Sequence, residues 1–329
     1  PSAVGVAGLG VAWATGTEEV GACAAFSAGW ILSALWGARG AAGMTGSAPA
    51  PQGPARYREM LKFGVIMLSY IGAAQLVSQV DRFMVGGLRS ADEVGFYDAA
   101  AVIANHVPIF LTALNAVVFP KLGAAHHAGR PDEVRDLYQL ETRWVTLLSV
   151  PLLLVVVTLG SPILSLWGPE FTVAASTVAV LALAQTLNAS AGPVGGVLMM
   201  TGHEKWVLAN TALLGGLNAV GNYLLVPRYG IIGAAISTAC AVVAWNIASL
   251  LEVWFLLKIQ PYTRAYLKVV AAGVASLAAA LGIVFALPPW GGWVALPAAL
   301  AVYAGLCQAF ALQPEDRQLV ELIRKKLGK

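Results

Sequence analysis

Charge is scarce in this sequence: 11% of its 329 residues are Asp, Glu, Lys or Arg, against 58% hydrophobic residues, and the mean hydropathy is +0.73. That balance excludes an ordinary soluble domain and makes the chain an integral membrane protein. Cysteine is nearly absent as well. Cys23, Cys240 and Cys307 each fall inside an apolar run with no paired spacing, which excludes a disulfide framework or a thiolate metal site. There is no metal-spaced His/Cys cluster, no Gly-rich phosphate loop ahead of a lysine, and no nucleophile elbow. Long polar loops on the outer side are lacking too, leaving no room for a catalytic site there. The sequence therefore points away from an enzyme, and neither a cofactor nor a nucleic-acid partner is expected. The opening PSAVGVAGLGVAW lacks an initiator Met, a basic leader and a small-residue cleavage site, so it is not read as a signal peptide.

What the chain does have is a succession of long apolar runs rich in Leu, Val, Ala and Gly. They do not alternate, which fits helices and not an outer-membrane barrel. Bounded by charge, Pro or Gly, about ten crossings are expected, near residues 1–14, 20–37, 61–83, 94–118, 144–166, 172–199, 206–226, 231–257, 265–287 and 292–311. The first holds about 14 residues, roughly 21 Å of helix against a hydrocarbon core of about 30 Å, so the chain is expected to be cut at its amino end. Residues 37–59 are rich in Gly, Pro and Ala without periodicity, and read as a linker between two bundles. Pro108 and Pro193, inside the fourth and sixth runs, are expected to kink those helices.

Placing alternate loops on opposite sides puts 17 of the 20 Lys and Arg residues on one side, with Arg82, Arg89 and Arg228 on the other. The positive-inside bias makes the first side cytoplasmic, the carboxyl terminus included. Eight Trp residues, among them Trp13, Trp144, Trp167 and Trp254, fall near expected span ends, as an interfacial aromatic belt requires. Two segments read as amphipathic helices resting on the membrane surface or the bundle: PDEVRDLYQLETRWV, starting at Pro131 with Asp132 and Glu133, and the basic tail PEDRQLVELIRKKLGK.

Polar side chains recur inside four spans at helical spacing. In residues 61–88, Gln75, Gln79 and Arg82 stand at i, i+4 and i+7, flanked by Ser78 and Asp81. In the fourth span Asp98, Asn105 and Thr112 repeat every seven residues, with His106 beside Asn105 and Asn115 a turn beyond Thr112. Gln185 and Asn188 lie in the sixth, and Thr211, Asn218 and Asn222 form a stripe in the seventh. Such groups are costly against lipid. Any single amide can be explained as glue between helices, worth about 0.6 kcal/mol on average, whereas stripes recurring over four helices point to a shared wet cavity. Asp81 and Arg82 are about 100° apart on a helix, so Arg82 can face that cavity while Asp81 meets a neighbouring helix. His106 is either a proton-coupling group or a neutral core hydrogen-bonder.

Several stretches resemble the polysaccharide and oligosaccharide flippases, the O-antigen type members of the multidrug/oligosaccharidyl-lipid/polysaccharide exporter superfamily. They are VDRFMVGGLRSADEVGFYDAAAVI from Val80, Pro120 closing the fourth span, LWGPEF at 166–171 and NTALLGGLNAVGNYLLVPRYGIIGAAIST at 210–238. The resemblance, carried by the order of these stretches over residues 60–258, implies an all-α architecture of two six-helix lobes around a central cavity, with two further helices. Residues 1–37 would then be the last two helices of a truncated first lobe, 38–59 a cytoplasmic linker, 60–258 the second lobe, 259–312 the extra pair and 313–329 a basic tail. The implied activity is movement of an undecaprenyl-diphosphate-linked oligosaccharide to the outer leaflet of the cytoplasmic membrane by alternating access. Membrane lipids and glycan-assembly enzymes would be its neighbours. Arg82 is the expected contact for the diphosphate, with Gln75, Gln79, Asn105, Asn115, Gln185, Asn188, Asn218 and Asn222 facing sugar hydroxyls. Alternatives are an ion-coupled drug or amphiphile antiporter on the same fold, a non-transporting remnant, and a membrane glycan polymerase or ligase.

Overall fold

The computed structural model describes residues 54–287 and 291–311, together with Arg39. The chain divides into two compact units, residues 1–62 and 63–329, and the helical bundle is the second of them. The expected first two spans and the basic tail lie outside the described residues. Every regular element among those residues is helical, so the all-α membrane fold stands. Among the described residues, six helical segments are long and apolar enough to cross a membrane: Ile109–His127, Pro131–Leu164, Pro169–Met200, Ile231–Leu257, Arg264–Ala286 and Gly291–Ala309.

The elements follow from local sequence. Helix α1 (Pro54–Leu88) begins inside the stretch expected as linker, and runs for 35 residues because nothing between Pro54 and Leu88 breaks it. Ser90 starts α2 (Ala91–Ala104): its extended backbone and hydroxyl, accepting from Glu93 N–H at 3.3 Å, cap a first turn that also carries Asp92 and Glu93. The expected fourth span is not one kinked helix. It stops at Ala104 and restarts as α3 (Ile109–His127), because Pro108 has no N–H to give and its ring displaces the carbonyl a turn earlier. Pro120 does not close this helix, which continues through it to His127.

The segment expected as a separate amphipathic helix is nearly the first half of α4 (Pro131–Leu164), which passes into the apolar stretch without a break. Its Val134 and Tyr138 are buried, so that face is spent on the bundle. A short 3-10 turn (Pro169–Ala174) leads to α5 (Ala175–Ser190) and, across a second interruption, α6 (Val194–Met200). The interruption is a full break because Gly192 adopts φ +68 ahead of Pro193, a backbone that glycine alone takes without strain. The Thr142 side chain of α4 fills the space a Cβ at Gly192 would need.

Helices α7 (Glu204–Tyr229) and α8 (Ile231–Leu257) form a hairpin about Gly230, φ +59. They approach closely enough that a Cβ on Gly233 would lie 2.5 Å from the Leu225 carbonyl oxygen, the small-residue packing common between membrane helices. Helices α9 (Arg264–Ala286) and α10 (Gly291–Leu306) complete the described chain. One core cluster joins α1, α2, α4, α5, α7 and α8 through Val85, Ala100, Leu153, Val178, Val226 and Ala234. A second, around Leu122, Tyr138, Val197, Val207 and Val253, holds α3, α4, α6, α7 and α8. A third fixes α9 and α10 to α4 through Val150, Val269, Ala280 and Ala299.

Candidate functional site

Four helices converge on Asp81. Its carboxylate is 6% exposed and accepts four hydrogen bonds: from Asn218 at 2.8 Å and Asn222 at 2.7 Å on Oδ1, and from Tyr97 at 2.7 Å and Thr238 at 2.8 Å on Oδ2. The i, i+4 spacing of Asn218 and Asn222 puts both amides on one face of α7. The donors come from α2, α7 and α8, so one side chain of α1 ties three other helices together. Behind it, Ser237 donates to the Asn218 carbonyl at 2.9 Å and side-chain oxygen at 3.0 Å. A buried carboxylate whose lone pairs are all taken by neutral donors is a closed node.

One residue on, Arg82 points elsewhere. Its Nε donates to Asp98 Oδ1 at 2.6 Å and its Nη2 pairs with the same oxygen; Nη1 donates to Gln79 Oε1 at 2.9 Å and to the Ser78 carbonyl at 3.2 Å. The Arg82 and Asp98 side chains keep 30% and 46% exposure. Beside them lies a cavity of about 230 Å³ walled by Ser78, Asp81, Arg82, Asn105, Gln185 and Asn218, with Tyr97 the one aromatic ring among its lining residues. Across it, Gln185 of α5 donates to Asn105 Oδ1 at 2.7 Å, at the point where α2 ends. Asn105 is thus carried by a broken span, and the break leaves it facing the polar wall.

The other expected site residues do not line this cavity. Asn222 lies behind it, on Asp81, and Gln79 holds Arg82. Gln75 accepts from Ser78 at 3.4 Å on the exposed face of α1. His106 sits with Val102, Val107, Val156 and Trp167 on a separate pocket of about 350 Å³, where its Nδ1 donates to the Val102 carbonyl at 2.7 Å. The break in the fourth span falls between Asn105 and Thr112 of the seven-residue stripe; Asn115, on α3, does not line the cavity, and its buried side-chain oxygen has no partner among the described residues. Asn188 accepts from Asn246 of α8 at 3.1 Å, one turn before the α5/α6 break. Tyr97, Thr238 and Ser237 are not among the site residues expected from sequence. A lone Tyr or Thr in an apolar run carries no stripe, and only the Asp81 node reveals why they are there. No group of three or more His, Cys, Asp or Glu side chains suited to a metal occurs among the described residues.

Comparison with known proteins points the same way. A family model described as "Polysaccharide biosynthesis protein" matches residues 5–176. The probable low-salt glycan biosynthesis flippase Agl15 of Haloferax volcanii is 23% identical over 163 residues, 49% of this chain and 34% of that protein. The probable flippase AglR of the same organism is 26% identical over 164 residues, again 49% and 34%. The match thus spans about a third of the length of either relative. A solved structure of the lipid II flippase MurJ in an inward closed conformation aligns with 96% of this chain and 66% of its own, with TM-score 0.67 at 14% identity. At that identity the likeness is one of fold.

Proposed function

The chain belongs to the polysaccharide biosynthesis protein family, and on that footing we propose that it forms part of a transporter moving lipid-linked glycans between the leaflets of a membrane. Residues 60–258 would be the second six-helix lobe, 259–312 an added helix pair and 1–37 the end of a first lobe. By the Lys and Arg distribution, the carboxyl terminus lies on the cytoplasmic side of the cytoplasmic membrane.

The observation that carries this reading is a polar cavity within the bundle, with one guanidinium and three amides on its wall. A lipid-linked diphosphate cannot enter hydrocarbon unpaired, and Arg82 offers the planar donor fork that phosphate oxygens accept. Asn105 and Gln185 supply both donors and acceptors for sugar hydroxyls, whereas Asn218 is spent on Asp81 and Ser237. At about 230 Å³ the space falls below the ~300–1,000 Å³ of whole-ligand pockets. In this conformation it accommodates part of a headgroup, and alternating access would widen it. The same wall argues against a cationic drug as cargo. Both oxygens of Asp81 are already occupied, and the lining carries a single aromatic ring.

The test is a leaflet-translocation assay in vesicles with a labelled undecaprenyl-diphosphate oligosaccharide, run on this chain and on a version that includes any sequence encoded upstream. Arg82→Ala is expected to slow translocation at least about tenfold, the equivalent of one charge-assisted hydrogen bond in the rate-limiting state. An unchanged rate removes Arg82 from headgroup binding.

A further inference from the structure

Arg82 stands between two acids whose situations differ. Asp81 cannot move, because four donors from three helices hold it. Asp98 can. It stays 46% exposed, and among the described residues its polar contacts, one hydrogen bond and one ion pair, both come from Arg82 and both end on Oδ1. Arg82 meanwhile is held on its far edge by Gln79 and the Ser78 carbonyl, which fix the guanidinium in place with or without Asp98. The edge formed by Nε and Nη2 is the one a phosphate would take in a forked contact, and a carboxylate now occupies it. Both side chains keep exposed surface, so exchanging one anion for another there does not bury an uncompensated charge in the packed core.

We propose that Asp98 is a place-holder for the headgroup: a phosphate or diphosphate binds Arg82 by displacing the Asp98 carboxylate, and Asp98 drives release by taking Arg82 back. The inference rests on the flippase reading, and it makes Asp98 a positioning residue that sets affinity through Arg82. Because Asp98 sits on α2 and Arg82 on α1, each displacement removes one polar tie between the two helices beside the cavity, while the buried Tyr97–Asp81 bond keeps them joined.

The experiment measures binding of a fluorescent short-chain polyprenyl diphosphate to the purified chain in nanodiscs, with inorganic pyrophosphate and the matching polyprenyl alcohol as separate arms. Removing the competitor in Asp98→Asn is expected to tighten diphosphate-lipid binding about tenfold, while Asp98→Glu keeps the parental affinity. Arg82→Ala is expected to weaken binding, and the double variant to show no gain. In translocation, Asp98→Asn should lower the half-saturating concentration and the maximal rate together, a split that simple loss of packing does not produce. A parallel gain for pyrophosphate identifies the phosphate group itself as the displacing ligand; a gain with the alcohol overturns the proposal. Unchanged or weaker binding by a folded Asp98→Asn, with Arg82→Ala still impaired, overturns the place-holder role and leaves the flippase reading intact. Arg82→Ala binding as well as the parent overturns both.

Discussion

Two carboxyl groups are buried in this bundle to a similar degree, Asp81 at 6% exposure and Glu141 at 2%, and their surroundings are opposite. Asp81 receives four hydrogen bonds from α2, α7 and α8. Glu141, on α4 near the α5/α6 break, has no partner for either oxygen among the described residues, although its neighbours Tyr138 and Thr142 both spend their hydroxyls on backbone carbonyls, of Ala191 and Tyr138. Burial alone therefore says little about what a carboxyl contributes. Around Asp81 the chain supplied donors at matched positions on three helices, and the acid became a joint of the bundle. Around Glu141 it supplied packing, and the acid is a cost carried within it.

The widest separation between the two should appear on removal. Asp81→Ala leaves two amides and two hydroxyls buried without their acceptor, and is expected to cost about 3–5 kcal/mol, the scale for dismantling one side of a buried charged network. Thermal unfolding in detergent measures it. Asp81→Asn, which keeps one acceptor oxygen and adds donors that oppose those already present, should recover only part of the loss. An Asp81→Ala protein as stable as the parent would mean the four bonds are incidental to the fold.

The reverse is expected at the other end. Glu141→Met keeps the volume and removes two buried oxygens that have no partner, and should stabilise the protein by about 1–2 kcal/mol in the same unfolding experiment. Loss of stability comparable to that of Asp81→Ala would abolish the contrast and assign Glu141 a partner. Should stability rise while translocation falls, the carboxyl is retained for activity, as with other costly groups kept inside membranes.

Much of this is legible in the amino-acid sequence. Helix α8 has the bounds of its expected span, residues 231–257, because Gly230 and Lys258 end an apolar run without interior breakers. The polar faces that carry Asp81 on α1 and Asn218 and Asn222 on α7 are visible in sequence, but that these three meet is seen only in the structure. Two kinds of information are not legible. Whether a proline kinks or breaks a helix depends on what receives the freed groups: Pro120, Pro151 and Pro162 are carried within helices, whereas Pro108 and Pro193 sit at full breaks. Nor does sequence say which residue answers a charge. Asp98 pairs with Arg82 over 16 positions, and Thr238 reaches Asp81 over 157. Those distances are set by packing, which periodicity within a single helix does not encode.

The smallest effect should come from between the two extremes, at the Gln185–Asn105 bond across the cavity, 2.7 Å long and partly open. Gln185→Ala is expected to cost only about 0.6 kcal/mol, the average for such bonds between membrane helices, because Asn105 keeps access to water in the cavity and is not stranded as the donors around Asp81 would be. Its value lies in the ratio to Asp81→Ala. A cavity that is wet makes this bond replaceable, so the two losses should differ about fivefold or more. Equal losses would mean the cavity is dry and Asn105 is as dependent on its partner as the Asp81 node is. The amides would then be interhelical glue and not a surface kept available for a glycan.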